Sequence, residues 1–344
     1  MRVLGILVAA AALCTVAATA LAASKKDWDD CQADDPDRSI AGCTRIIEGR
    51  GETPKNRAIA FYNRGVAYSD KGDHDRAISQ YDEAIRLDPK YVSAYNNRGN
   101  SYNRKGEYRR ALKDYDKALE FDPKYARGFN NRGEVFENLD EPDRARDAYS
   151  AAINLDPNYA RARSNRGDTY LYGGDYDRAI ADYTEALRLD GKRIDSYRSR
   201  AIAELFNGTS AKALADVTQA AELDPASAYS ALWLDVIGER NGVQSRLSDA
   251  SKKIDMTSWP GPVVRLFLGQ STVDATIEAA DNPRAKTKKD RTCDALFFGG
   301  ELALRTKQRD DAVRLFRRAA NECAHASVGY GVANAELKVL GEKP

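Results

Sequence analysis

The chain has 344 residues, with 53 Lys and Arg against 52 Asp and Glu, and a formal net charge of +1. Hydrophobic residues make up 42% and charged residues 31%, the balance of a folded globular protein rather than a disordered or multi-spanning one. No surplus positive field is available for phosphate, which excludes nucleic acid as the main partner, and two His offer little for a histidine metal centre.

Arg2 precedes an uncharged run from Val3 to Ala23 that closes on Ala20-Leu21-Ala22, the small-x-small pattern of a signal-peptidase site. Residues 1–22 are therefore read as a cleaved signal peptide. The mature chain is expected in the periplasm, with no integral membrane segment. An uncleaved anchor is the competing reading, since the run is long enough to span a bilayer. Lipid attachment through Cys14 is disfavoured, because Leu13 puts bulk where a lipoprotein signal wants a small residue.

Export would leave four cysteines, Cys31, Cys43, Cys293 and Cys323, an even set suited to an oxidising compartment. Four cysteines allow three pairings. Cys31–Cys43 and Cys293–Cys323 are favoured, because each would join neighbouring antiparallel helices near one end of the protein. No CxxC spacing occurs, and His74 and His325 do not complete a metal site, so neither metal nor cofactor is expected.

Residues 23–57 read as an N-terminal cap. A short acidic helix around Trp28 precedes Asp37-Arg38-Ser39-Ile40, Cys43 and Ile46-Ile47, which echo Asp177-Arg178-Ala179-Ile180, Tyr183 and Ala186-Leu187. From residue 58 to 227 the chain repeats five times at a step of thirty-four residues. Gly65, Gly99, Gly133, Gly167 and Ala201 keep that step. So do Ala77, Ala111, Ala145, Ala179 and Ala213, and Tyr81, Tyr115, Tyr149, Tyr183 and Val217. Pro89, Pro123, Pro157 and Pro225 close four units. This pattern resembles the tetratricopeptide (TPR) family. Each unit is then two antiparallel helices, with small residues where they approach and Tyr68, Tyr102, Phe136 and Tyr170 expected in the groove between them. Gly72, Gly106, Gly174 and Gly208 fall in the turn, with Asp140 in the third unit. A single unit cannot bury its apolar face, so stability must come from stacking.

Residues 228–344 continue as helices without the strict step: Ala228 to Arg240, Ser245 to Asp255, Pro262 to Leu268, a TPR-like pair from Arg291 to Lys307 and Asp310 to Asn321, and Val328 to Leu340. The basic run Arg284, Lys286, Lys288, Lys289 and Arg291 is expected in a loop. The succession Leu232-Trp233-Leu234, Trp259, Phe267-Leu268-Gly269, Phe297-Phe298-Gly299-Gly300, Ala312 to Phe316, and Glu336-Leu337 with Leu340-Gly341 resembles the C-terminal half of NlpI-type bacterial envelope lipoproteins. That resemblance implies a periplasmic adaptor bringing together an envelope protease and peptidoglycan-processing enzymes, and a homodimer.

No catalytic pattern is present: neither GxSxG, HExxH, GxGxxG nor a phosphate loop occurs. The chain is therefore read as a non-enzyme. The binding signal lies on the first helix of each unit, where Asn63, Asn97, Asn131 and Asn165 recur at the repeat step and Ser199 takes the fifth place. In the TPR family this position faces the concave surface. A column of amides there resembles the asparagine ladder that holds an extended peptide backbone; each amide offers one acceptor and two donors. The competing reading is that the same amides only solvate the groove or bridge adjacent helices. Asn96, Asn100 and Asn130, with Asn103, Arg127 and Glu134, are expected to give the groove a polar lining. Leu171, Tyr172, Ile202, Leu205 and Phe206 are expected to make it apolar further along, open to a partner or covered by the C-terminal helices. Arg64, Arg98, Arg132, Arg166 and Arg200 beside the ladder are read as structural, paired with Asp114, Asp182 and Asp216.

The expected fold is all-α, a right-handed TPR superhelix (α-solenoid) with a disulfide-capped N-terminal hairpin and a helical C-terminal region. The expected function is an exported adaptor or scaffold binding extended protein segments. The alternative is a regulatory or glycan-associated subunit docking onto an envelope hydrolase through its C-terminal region.

Overall fold

A computed structural model describes residues 22–281 and 285–343; the expected signal segment up to residue 21, Cys14 included, lies outside them. Among the described residues the regular elements are nineteen α-helices and one 3-10 turn, and no helix is long and apolar enough to cross a membrane. The chain divides into two compact units, Met1–Glu107 and Tyr108–Pro344.

The first unit holds α1 (Lys25–Cys31), α2 (Pro36–Glu48), α3 (Pro54–Asp70), α4 (His74–Leu87) and α5 (Val92–Arg104). Ser24 and Asp27 form a capping box that starts α1. Asp35 and Thr53 cap α2 and α3, each followed by Pro at the first helical position, where no donor is lost. The Cys31–Cys43 disulfide joins α1 to α2, the pairing that the sequence favours. Beside it Asp30 accepts from both Arg38 (2.7 Å) and Arg45 (2.6 Å), so the short cap is held covalently and by charge.

The second unit runs through α6 (Tyr108–Phe121), α7 (Ala126–Asn138), α8 (Pro142–Leu155), α9 (Ala160–Tyr172), α10 (Tyr176–Leu189), α11 (Ile194–Phe206), α12 (Ser210–Leu223) and α13 (Ala228–Arg240). It continues with α14 (Leu247–Ala250), α15 (Gly261–Phe267), α16 (Val273–Glu278), α17 (Ala285–Arg305), α18 (Arg309–Glu322) and α19 (Val328–Val339). The Cys293–Cys323 disulfide ties α17 to the end of α18, again the favoured pairing.

The repeat step has a direct steric cause. A Cβ placed on Gly133 would fall 2.4 Å from the ring of Tyr149, and one on Gly65 would fall 2.6 Å from Tyr81. Tyr81, Tyr149 and Tyr183 are large rings buried between paired helices, and Tyr115 on α6 is also fully buried. The sequence reading gave that place to Tyr68, Tyr102, Phe136 and Tyr170. Of these only Phe136 is buried, and Arg76 and Arg178 lie over the half-exposed faces of Tyr68 and Tyr170. The turn between helices requires positive φ, met by Gly72 at 75° and Gly174 at 76° and, with an Asp instead, by Asp140 at 61°.

The expected arginine pairs form at α9 and α11. Arg166 makes a two-pronged contact to Asp182 (2.7 and 2.8 Å) and Arg200 does the same to Asp216 (2.6 and 2.7 Å). Each also reaches back sixteen residues, to Ser150 and Thr184, so one guanidinium fastens a first helix to the second helices on both sides. Asp114 is buried in α6.

The C-terminal region departs from the sequence reading in three places. Ser245 to Asp255 forms only α14 and a 3-10 turn over Ser251–Lys253, because its apolar residues are too few to bury a longer helix face. Lys288, Lys289 and Arg291 lie on α17, which begins at Ala285, so this part of the basic run is helical; Arg284 and the side chain of Lys286 lie outside the described residues. The short α16, capped by Thr272, was not foreseen.

Candidate functional site

In the first unit, Asn97 on α5 donates to the Tyr62 hydroxyl of α3 at 3.0 Å, and it also bonds the Tyr81 hydroxyl. Its own carbonyl accepts from Asn96 at 3.1 Å, and Asn96 is buried. Tyr62 stands between Tyr81 and Tyr91, with ring centroids 6.0 and 5.0 Å away. Burial pushes the Tyr91 hydroxyl up to about 12, so it remains a neutral donor. Asn63 is half-buried beside the disulfide, its amide 3.8 Å from the Cys31 sulfur. Asn100 on the same helix as Asn97 is half-exposed.

In the second unit, Asn165 on α9 reaches two groups of α7, the Asn130 carbonyl at 3.1 Å and Glu134 at 3.4 Å. Asn130, fully buried, donates to Glu134 at 3.0 Å, and Arg161 pairs with the same carboxylate at 2.8 Å. Asn131 is buried next to Asn130. Where the ladder passes to α11, Ser164 and Ser196 share a hydrogen bond of 2.7 Å. Ser199 bonds the half-buried Asp168 carboxyl, as does Tyr183 at 2.7 Å. Burial pushes Asp168 up to about 6, against the lowering effect of those two hydroxyls. The repeated amides thus link neighbouring first helices in both units. Asn96, Asn130 and Asn131 are buried against other side chains: Asn96 donates to Asn97 and Asn130 to Asn131 and Glu134 on their own helices, and Asn165 reaches Asn130 from α9.

The apolar stretch on α9 and α11 is covered by the chain itself. Leu171 and Ile202 are buried, and Tyr172, Leu205 and Phe206 are half-buried in one cluster with Val332 and Leu337 of α19. The helix α19 lies so close to α9 that a Cβ on Gly331 would stand 2.9 Å from the Tyr172 Cα and 3.2 Å from its carbonyl oxygen. Tyr176 stacks on Phe206 at 6.0 Å and feels the Glu336 charge of α19. An anchor that sequence reasoning missed fixes this arrangement. Asp140, in the turn after α7, accepts from the Ala326 N–H and pairs with His325, both at 2.9 Å, immediately before α19. The only signal in the sequence was an Asp where the other turns carry Gly.

Residues 65–106 match the TPR repeat family, and residues 92–125, 130–194 and 164–228 match tetratricopeptide repeats. No curated protein matches the chain in sequence. Among solved structures, PilW, described as a widely conserved type IV pilus biogenesis factor, is 19% identical with a TM-score of 0.52, over 57% of this chain and 91% of its own. PilF of Pseudomonas aeruginosa is 21% identical with a TM-score of 0.45, over 71% of this chain and 97% of its own. YrrB, described as a TPR protein with an unusual peptide-binding site, is 26% identical with a TM-score of 0.42, over 55% of this chain and 95% of its own. The likeness to PilW is one of fold.

Proposed function

Residues 65–228 make this a tetratricopeptide-repeat protein, and we propose that it works as an exported, non-catalytic adaptor that binds segments of other proteins along the first helices of its repeats. One observation carries the reading: the array already holds a polypeptide segment, its own α19, in backbone contact with α9. A repeat face that takes one helix this closely is built for polypeptide. The amides of Asn97 and Asn165, half-exposed at the repeat step, would add backbone contacts, with affinity from several weak interactions rather than one anchor. Two disulfides suit an oxidising compartment, which supports export. The finer reading is that the bound segments belong to envelope proteases or peptidoglycan-processing enzymes.

A second reading draws on the same covered face. With α9 and α11 filled by α19, a partner such as an envelope hydrolase would dock on the outer surface of α18 and α19. Val339, 70% exposed, would be part of that surface.

Photo-crosslinking of the full chain in a bacterial envelope fraction separates the two. A crosslinkable side chain at Asn100 or Asn165 should capture protein partners if the repeat faces bind, and one at Val339 should stay silent. Capture at Val339 alone overturns the adaptor reading in favour of the second.

A further inference from the structure

A cavity of about 280 Å³ opens where α13, α17 and α19 meet, away from the amide-bearing faces. Its walls are Val236 and Arg240 of α13, Glu301 and Leu304 of α17, Glu336 of α19 and Leu340 just after it. The Arg240 guanidinium donates to Glu301 and Glu336, each at 2.7 Å. The next guanidinium, Arg305, is shared between Asp235 (2.6 Å) and Glu239. Four carboxyls are therefore served by two cations; the Glu239 side chain is half-exposed to water, so the negative charge left over without hydration lies on the buried pair Glu301 and Glu336.

Such an imbalance is costly unless a further cation or a proton enters, because an uncompensated buried carboxylate loses its hydration without replacement. The deficit is localised on one atom. Glu301, 6% exposed, has its Oε2 on Arg240, whereas its Oε1 is buried and receives no N–H donor among the described residues. The carboxyl of Glu336 stands beside it, and the two carboxyls share a proton through a side-chain hydrogen bond, which an entering cation would displace.

We propose that this cavity binds a primary alkylammonium ion, with the ammonium on Glu301 and Glu336 and the alkyl stem along Val236, Leu304 and Leu340. An ammonium brings three donors and one positive charge, which fits two carboxyls with open acceptors. The volume lies near the lower end for small-ligand sites and suits a stem of a few carbons. A quaternary ammonium has the charge and no N–H, so it does not satisfy Oε1. The site stands whether or not the repeat faces bind protein segments. Its ligand is either a free amine or the lysine side chain of another protein.

The test uses the full disulfide-bonded chain and compares n-butylammonium chloride with tetramethylammonium chloride at equal ionic strength, by calorimetry and thermal melting. Saturable binding and a raised melting temperature are expected with butylammonium only. Glu301→Gln should weaken that binding by about tenfold or more. If that variant does not fold, Glu336→Gln reads the same loss. A tripeptide, acetyl-Ala-Lys-Ala-amide, that binds at least as well as butylammonium assigns the site to a partner's lysine, and weaker binding assigns it to a free amine. Equal effects of the two salts, or butylammonium binding untouched by either substitution, overturn the proposal and leave the proton shared by Glu301 and Glu336 undisplaced.

Discussion

The ring of Tyr183 occupies the space into which a side chain on Gly167 would grow: a Cβ there falls 2.8 Å from Cε1 and 3.0 Å from Cδ1. Ala at position 167 gains about 1 kcal/mol of helix propensity, but overpacking a full core costs about 1–3 kcal/mol, so the clash wins. Gly167→Ala should therefore lower the urea midpoint. Gly191→Ala, whose Cβ meets nothing nearer than 3.7 Å, should leave it unchanged or raise it.

Arg166 and Arg188 both contact carboxylates through two nitrogens, yet their surroundings differ. Asp182, the partner of Arg166, has a side chain only 7% exposed, whereas Glu185 and Arg188 are 35% and 64% exposed. Removing Arg166 strands a buried charge, so Arg166→Met should cost about 3 kcal/mol or more in chemical denaturation. Arg188→Met should cost less than about 1 kcal/mol, as exposed pairs contribute little. Equal losses would argue against the role of burial.

Glu301 gives the protein a pH dependence of definite sign. Burial raises its pKa to about 8 from an ordinary 4.5, the neighbouring Glu336 charge adds to the rise, and Arg240 opposes it. Asp235, Glu239 and Arg305 complete the charged groups packed around it. The folded chain holds a proton there that the unfolded chain has already released, so this contribution is full below about pH 4.5 and is lost as pH rises through about 8. Stability by urea titration should fall between pH 6 and pH 9 in the native chain. Glu301→Gln should flatten that slope, and a slope that persists in the variant would assign the effect elsewhere.

Asp140 and Gly331 together seat α19 on α9, and each can be tested singly. Gly331→Leu drives a side chain into the α9 backbone, and Asp140→Gly relieves a positive φ while removing two contacts to Ala326 and His325. Hydrogen exchange at α9 and α19 should speed up in both variants, more in Gly331→Leu, with the Cys31–Cys43 region unaffected. If α9 stays as protected as in the native chain, α19 is not what covers it.

The repeats were legible because they are local. Gly65 and Tyr81 lie sixteen residues apart and meet, as do Gly133 with Tyr149 and Gly167 with Tyr183, so spacing alone reveals the pair. The disulfides followed from helices that are neighbours in sequence. The position of α19 was not legible. Val332 and Leu337 announce a buried face, but nothing in them states that Leu171 and Tyr172, some 160 residues earlier, share its cluster. The ladder amides fall between these cases. Their recurrence was plain, and Glu134 one turn along α7 is a local partner, but the burial of Asn130 also depends on Asn165 arriving from α9, which an alphabet of polar letters does not encode.

The seating of α19 also orders events in time. A repeat array usually gains stability as each unit is added, since units contact only their neighbours. Here Leu171 and Ile202 of α9 and α11 share their cluster with a helix that begins at Val328, near the end of the chain. During synthesis, the middle repeats keep part of this apolar strip uncovered until α19 emerges. A chain truncated before Val328 would keep that strip exposed, a ready site for chaperones or for self-association.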